Sequence, residues 1–366
     1  MIHLNYITFT MSSHFCDYSI YIYIMKNTIL LFIILFASFG CNKSYKSKTF
    51  HEDKEKTINV KDKIVDIETD LYFGICDLEI SDSLLIVSEI DPRGEKGVHL
   101  LNKNSLKYLT STGYMGKGPG EIIRSGNSTI SFNSQIIWVD DYGKMVKWKF
   151  PIDSVMNNNK FIPTQKIAMN KDLFQVMFKF ISDSVTIGKS CVPTSFHSMD
   201  LINTKRNIYS NKIEKYGYHY PDLKDRESYS DFALSNSKKL YVTCYKFVDL
   251  MTVCNLNGDL RSNIFGSKWK PKEIPCVQFY KHVDFYKDYI IASYLGDKWV
   301  LKTADGGMEY LSTTKFLVFD INGNYIKTIE VGYEFSEFCV DEDNGRIIVY
   351  FDGRKNPLGY FNLDFQ

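Results

Sequence analysis

Neither sign of charge is in excess: 44 lysines and arginines stand against 43 aspartates and glutamates in 366 residues. A chain so nearly balanced carries no long-range field to draw it to nucleic acid or another polyanion, and no nucleic-acid partner is expected. Alanine-rich helical segments are also missing. Leu, Ile, Val, Tyr and Phe are abundant instead, with Asn-Gly turns scattered among them, and this combination predicts an all-β fold. Eight cysteines are too few to staple a chain of this length, and none forms a Cys-x-x-Cys pair.

Catalytic spacings are absent as well. The seven histidines, His3, His14, His51, His99, His197, His219 and His282, form no His-x-x-x-His pair, so no zinc ligand set can be read from them. No Gly-x-Ser-x-Gly elbow occurs. Gly188-Lys189-Ser190 matches the end of a phosphate-binding loop, but Asp183 stands where the motif needs its first glycine, within strand-like sequence. Asp341-Glu342-Asp343-Asn344-Gly345 brings its glycine one position too early for a calcium loop and reads as a hairpin turn. No catalytic residue, metal or other cofactor is therefore expected, and isolated ionisable side chains are assigned to turns, caps and surface.

What the chain does contain starts at its N-terminal end. Residues 1–24 fit neither a signal nor a domain and read as an over-long gene start. Met25-Lys26-Asn27 opens a short positive region, Ile29 to Phe36 is apolar, and Ala37-Ser38-Phe39-Gly40-Cys41 ends it with small residues before a cysteine. The apolar run falls short of the roughly 20 residues that span a bilayer. Residues 25–40 resemble a lipoprotein signal peptide, which implies cleavage between Gly40 and Cys41 and a lipid on Cys41. A competing reading, one longer membrane segment from Tyr18 to Phe39, would bury Lys26 at a cost of about 3 kcal/mol. Residues 41–57 hold five lysines and no apolar periodicity and are expected to form a flexible tether, with the folded domain at 58–366. Asn42-Lys43-Ser44 lacks an acidic run resembling surface-export signals, so the expected address is the cell envelope. The lipid anchor alone would hold the protein to the outer membrane, facing the periplasm.

Apolar strand cores recur at Ile86, Ile137, Thr186, Val242, Ile291 and Ile348, with separations of 51, 49, 56, 49 and 57 residues, a blade-sized period. Turns are expected after them at Asn102–Ser105, Asn203–Arg206, Asn257-Gly258 and Asn322-Gly323, the last two as type I′ hairpins. Only one strand, Leu358 to Phe365, remains after Arg346 to Phe351. The missing edge partner could come from Ile58–Val60 or Ile64–Ile67, closing the ring. The expected architecture is a monomeric six-bladed β-propeller with four-stranded blades, the last blade closed by an N-terminal strand.

Gly113, Gly116, Gly118, Pro119, Gly120 and Glu121 crowd one short stretch between strand-like runs, as a sharply turned connector between repeated sheets requires. This stretch resembles the blade-to-blade loop of six-bladed propellers of the TolB-like and NHL-like kind. The resemblance implies a non-catalytic binding module for a protein, peptide or glycan. Many of the 25 tyrosines and 26 phenylalanines would then pack between blades or line a groove. The alternative is a propeller enzyme of the lactonase or lyase type, with calcium or zinc in the central channel. Cys244 and Cys254 flank Asp249 and could meet across a hairpin, while Cys76 and Cys339 fall in the first and last blades. Each pair is read either as a disulfide or as buried hydrophobes.

Overall fold

The computed structural model describes residues 46–71, 73–170, 173–195, 198–221, 223–269, 276–303 and 305–364. Residues 1–24, expected as an over-long gene start, residues 25–40 with Gly40, expected as a signal peptide, Cys41, the expected lipidation site, and His3, His14 and His197 lie outside the described residues. Strands dominate. Three short ones come first: β1 (Lys46–Thr49), β2 (Thr57–Asn59) and β3 (Val65–Asp66). Four antiparallel sheets follow in chain order. They comprise β4 (Cys76–Ile80), β5 (Leu84–Glu89), β6 (Lys96–Asn102) and β7 (Tyr108–Tyr114), then β8 (Ser125–Ile130), β9 (Ile136–Asp141), β10 (Val146–Pro151) and β11 (Lys166–Ala168), with α1 (Ile152–Asn157) before β11. The third holds β12 (Phe174–Phe180), β13 (Val185–Pro193), β14 (Met199–Asn207) and β15 (Ile213–Lys215); the fourth holds β16 (Ser230–Ser235), β17 (Leu240–Tyr245), β18 (Leu250–Asn255) and β19 (Leu260–Phe265). The rest of the chain contributes β20 (Val277–Tyr286), β21 (Tyr289–Lys298), the separate hairpin β22 (Val300–Lys302) and β23 (Met308–Tyr310), then β24 (Thr313–Asp320), β25 (Tyr325–Asp341), β26 (Arg346–Phe351) and β27 (Leu358–Asn362).

Apart from the β22–β23 hairpin, these last strands join β3, and β2 beside β25, in one eight-stranded sheet, not two separate sheets as the expectation of six blades requires. The cause is β25, a continuous strand of 17 residues. Its first part, Tyr325 to Glu330, pairs with β24, and its second part, Phe335 to Asp341, with β26. Gly332, at φ 76°, lies between the two ladders. Because the chain enters the last ladder without leaving extended structure, the hydrogen-bonded path is unbroken.

Ile86, Ile137, Thr186, Val242, Ile291 and Ile348 all lie fully buried in second strands. A second strand has a neighbouring strand on each side and a neighbouring sheet on each face, so both of its alternating side-chain sets are buried, mostly apolar but polar at Thr186, Lys189 and Ser190 of β13. Ile86 faces Ile137 and Val139 of the next sheet, whereas Leu85 and Val87 pack with Cys339, Ile348 and Leu358. The first and last parts of the chain thereby share one core. Exposing its eleven buried residues would cost on the order of 15–30 kcal/mol at the usual 1.5–3 kcal/mol per side chain. This shared core holds the first and last sheets together.

β3 completes the closure: Val65 and Asp66 pair antiparallel with Tyr360 and Gly359, and the Ile67 amide donates to the Leu358 carbonyl at 3.0 Å. Of the two segments suggested by the sequence, it is the second, near Ile64–Ile67, that takes this place. The first runs elsewhere, as β2, parallel to β25.

The tether expected at 41–57 is corrected from Lys46 onward. β1 lies parallel to β19, from Lys46 opposite Ser262 to Thr49 opposite Phe265. Phe50 is 5% exposed and packs edge-on against Phe319, with ring centroids 5.1 Å apart, and stacks on Tyr325 at 6.1 Å. An outermost strand keeps most of its side chains in water, so its lysines carry no apolar period, and a single phenylalanine is too little signal to reveal it. Phe50→Ala is expected to lower stability by roughly 2–3 kcal/mol in denaturant unfolding, at the lower end for a buried aromatic because β1 is an edge strand. A change below about 0.5 kcal/mol would return this segment to the status of a tether.

Three turns differ from expectation. Asn203–Arg206 lies inside β14, and the turn comes later, where the Asn207 side chain accepts from the amides of Tyr209 (3.1 Å) and Ser210 (3.0 Å). At Asn257-Gly258 and Asn322-Gly323 only the glycines have positive φ, 93° and 83°. Their amides donate to Asn255 and Asp320 respectively, at 2.9 and 2.8 Å. These are type I turns closed by a left-handed glycine, the three-residue hairpin, rather than type I′.

Candidate functional site

The first strand of each ladder presents its edge and alternate side chains to a common interior, where polar groups can stay hydrated. Residues of β4, β8, β12, β16, β20 and β25 line one cavity of about 740 Å³. Its wall carries Asp77, Glu79, Asp231, Asp284, Glu337 and Glu342 against Lys179, Lys246 and Lys281, with His282 among them. In β4 all of Cys76, Asp77, Leu78 and Glu79 border the cavity, and Cys76 and Leu78 belong to the core as well.

Most of these charges are already engaged. Lys179 pairs with Glu79. Asp284 accepts from the amides of Phe285 and Val340 at 2.8 and 3.0 Å. His282 sits between two acids, with Nδ1 3.5 Å from Asp231 Oδ2 and Nε2 3.1 Å from Glu337 Oε2. The same Asp231 oxygen accepts from the Val283 amide at 2.9 Å, and Glu337 Oε1 from the Phe338 amide at 2.9 Å. Lys281 donates to Ser312 Oγ at 3.2 Å. Among the described residues Asp77 forms no ion pair; Lys179, whose charge acts on it, is held by Glu79.

Burial and mutual repulsion set the protonation of these acids. Burial, reinforced by Glu79 and opposed by Lys179, pushes the Asp77 carboxyl up to about 7. Glu337, 8% exposed, is held well above the usual carboxylate range by burial, then by Asp77 and Asp231. Burial also raises Asp284 to about 6, against the pull of Lys179. Each of these acids would gain from an added positive charge.

None of these residues was singled out as a site from the sequence, where His282 was only one of the scattered histidines. The signal available was an ionisable residue among apolar ones in five of the six first strands, β8 being the exception, as in Cys76-Asp77-Leu78-Glu79-Ile80 and Lys281-His282-Val283-Asp284-Phe285. In one repeat alone this reads as an ordinary half-exposed strand.

The connector begins at Gly113, in the end of β7, and runs to Glu121 ahead of β8, where one sheet hands over to the next. The Glu121 carboxylate accepts from the Gly118 amide at 2.7 Å, and Lys144 Nζ donates to the carbonyls of Gly118 and Glu121 at 2.8 and 2.6 Å. Gly120 has φ 73°, and a Cβ there would lie 2.5 Å from the Pro163 carbonyl oxygen, so glycine is required. Gly113, Gly116 and Pro119 shape the same turn, which lies away from the cavity lining.

The disulfide alternatives do not form. Register sets Cys244 opposite Met251 and Cys254 opposite Tyr241, and the two thiols face different cores. Cys76 and Cys339 share one core yet are free and buried, as are Cys244 and Cys254. Gly188-Lys189-Ser190 lies in the middle of β13. Among the described residues no group of three or more His, Cys, Asp or Glu is arranged to hold a metal ion.

No protein-family model matches the sequence, and no curated protein matches it. Solved structures do. A member of the DUF4221 family from Bacteroides vulgatus superposes with a TM-score of 0.54 at 11% identity, over 79% of this chain and 91% of that one. The WD40 repeats of RRP9 give 0.53 at 10% identity, over 83% and 98%. U3-55K gives 0.52 at 10% identity, over 82% and 99%. At such identities the likeness establishes the fold alone: this chain is an all-β propeller built of four-stranded blades.

Proposed function

We propose that this chain is a six-bladed, lipid-anchored propeller of the cell envelope, acting as a non-catalytic binding module whose channel receives a basic group from a protein or peptide. The blade count rests on β25, counted as the outer strand of one blade and the inner strand of the next. It rests also on the order of the buried clusters, which join consecutive sheets and finally the last to the first. The envelope address and the lipid on Cys41 rest on the resemblance of residues 25–41 to a lipoprotein signal. Likeness to WD40 propellers is in keeping with an interaction role.

One observation carries the ligand class: the cavity wall holds six carboxylates and three lysines in a chain whose overall formal charge is +1. The negative charge is concentrated where the strand edges meet, and Asp77 and Glu337 are short of cationic partners there. The lactonase or lyase reading has no metal ligand set among the described residues to support it.

The test is fluorescence anisotropy with short peptides carrying lysine or arginine, against matched peptides carrying norleucine or citrulline, at pH 6 and pH 8. A carboxyl raised to about 7 is mostly protonated at pH 6 and mostly charged at pH 8, so basic peptides should bind up to about ten-fold tighter at pH 8. Glu79, Lys179, Asp231, His282 and Glu337 surround it, and Asp77→Asn should flatten the pH dependence. Equal binding of basic and neutral peptides at both pH values would reject this reading.

A further inference from the structure

We infer that the rim formed by β1 and β19 is the edge of the propeller that faces the lipid bilayer. This rests on the proposed acylation of Cys41, and it follows from where the chain first joins the fold.

β1 begins at Lys46 and is paired with β19 along its whole length, from Lys46–Ser262 to Thr49–Phe265. Phe50 then fixes the strand in the core and its amide donates to the Phe265 carbonyl at 3.0 Å. The chain after Cys41 is therefore held to the fold from Lys46 onward. Five residues reach at most about 18 Å, however they are bent. The unit from Lys46 to Gln366 has an expected radius of gyration of about 20 Å and so measures about 50 Å across. The tether is much shorter than that width. With its attachment on the rim of the fourth sheet, orientations that avoid overlap with the bilayer keep this rim nearer the lipid, on average, than the far side. The sheet β4–β7, separated from the fourth by the intervening sheets, belongs to that far side. A tether attached at a channel mouth would have set one open face against the membrane; attachment at the rim leaves both mouths free for a partner.

The experiment uses the full acylated chain with Cys276, the exposed free thiol, replaced by serine. A fluorophore is placed at Thr49→Cys on the near rim or Lys107→Cys on the far one, both exposed positions. Protein is reconstituted into phosphatidylcholine vesicles doped with a lipid bearing a nitroxide on its headgroup, and quenching is compared. At least three-fold stronger quenching at Thr49→Cys is expected. A 25-residue Gly-Ser spacer inserted before Lys46 adds about 27 Å of root-mean-square reach and should largely abolish the difference. Equal quenching at the two positions, or stronger quenching at Lys107→Cys, in protein that floats with the vesicles would overturn the orientation while leaving the anchor intact. If intact-mass analysis finds no acyl chain and flotation matches that of Cys41→Ala, the anchor reading and this inference fail together.

Discussion

Replacing Lys147 by methionine is expected to cost about 3–5 kcal/mol, among the larger losses a single side chain can produce in this fold. Lys147 on β10 stands directly opposite Asp140 on β9, and its Nζ donates to Asp140 Oδ1 at 2.5 Å and to the Gln175 carbonyl of the next sheet at 3.2 Å. The side chains are 2% and 0% exposed. Burial alone would raise the Asp140 carboxyl and lower the Lys147 ammonium, and each charge offsets the other's penalty. With the lysine gone, Asp140 keeps a long contact from Tyr142 Oη at 3.5 Å and the weaker pull of the Arg206 charge. Its folded-state pKa would then stand far above the unfolded value, so the loss should be smallest near pH 4 and grow as pH rises through the carboxylate range. The double variant Lys147→Met, Asp140→Leu should recover most of the loss, because a buried pair replaced by apolar groups is often neutral. Urea unfolding of both singles and the double gives the coupling directly. A single-variant loss below about 1 kcal/mol, or a double equal to the sum of its singles, would contradict this account.

Lys189 should behave in the opposite way. It is fully buried in β13, its Nζ has no hydrogen-bonding partner among the described residues, and it lies 5.7 Å from the centroid of the Tyr245 ring. Burial pushes its pKa down to about 7. A lysine whose folded pKa lies below its unfolded value destabilises fully below pH 7, and the penalty fades as pH rises towards the unfolded pKa near 10.5. Lys189→Met is therefore expected to stabilise the protein by about 2–4 kcal/mol at pH 7. That corresponds to roughly 3–6 °C in Tm for a chain of this size. The wild type should gain stability between pH 7 and 10, and the variant should show less of that rise. Thermal melts of both across this range check the point, and a methionine variant that melts lower at pH 7 would refute it. Two buried lysines in consecutive sheets thus have opposite effects, decided by whether a carboxylate stands across the strand.

The features legible in the sequence were those tied to local or nearest-neighbour requirements. Ile86, Ile137 and Val242 lie in strands covered on both faces, so the need for apolar side chains is written into consecutive residues. Gly113 to Glu121 were legible because a tight handover between sheets demands glycine at particular torsions. The channel was not. Asp77, Asp231, His282 and Glu337 come from different repeats, and each by itself is an ionisable residue on a half-exposed strand. The β1 segment was missed because it needs only hydrogen bonds to β19 and one buried phenylalanine.

By itself, then, the chain's own order of residues determined an all-β class, the period of the repeated strands, most of the turn positions and the need for an added N-terminal strand, since each follows from hydrophobic alternation or backbone torsion over a few residues. Only the tertiary structure decided which carboxylates share a cavity, that Lys147 is paired and Lys189 is not, that Cys244 and Cys254 face different cores, and that the chain joins the fold at Lys46. These are matters of which distant residues meet and in what register, and a shift of one residue along a strand turns every side chain to the other face.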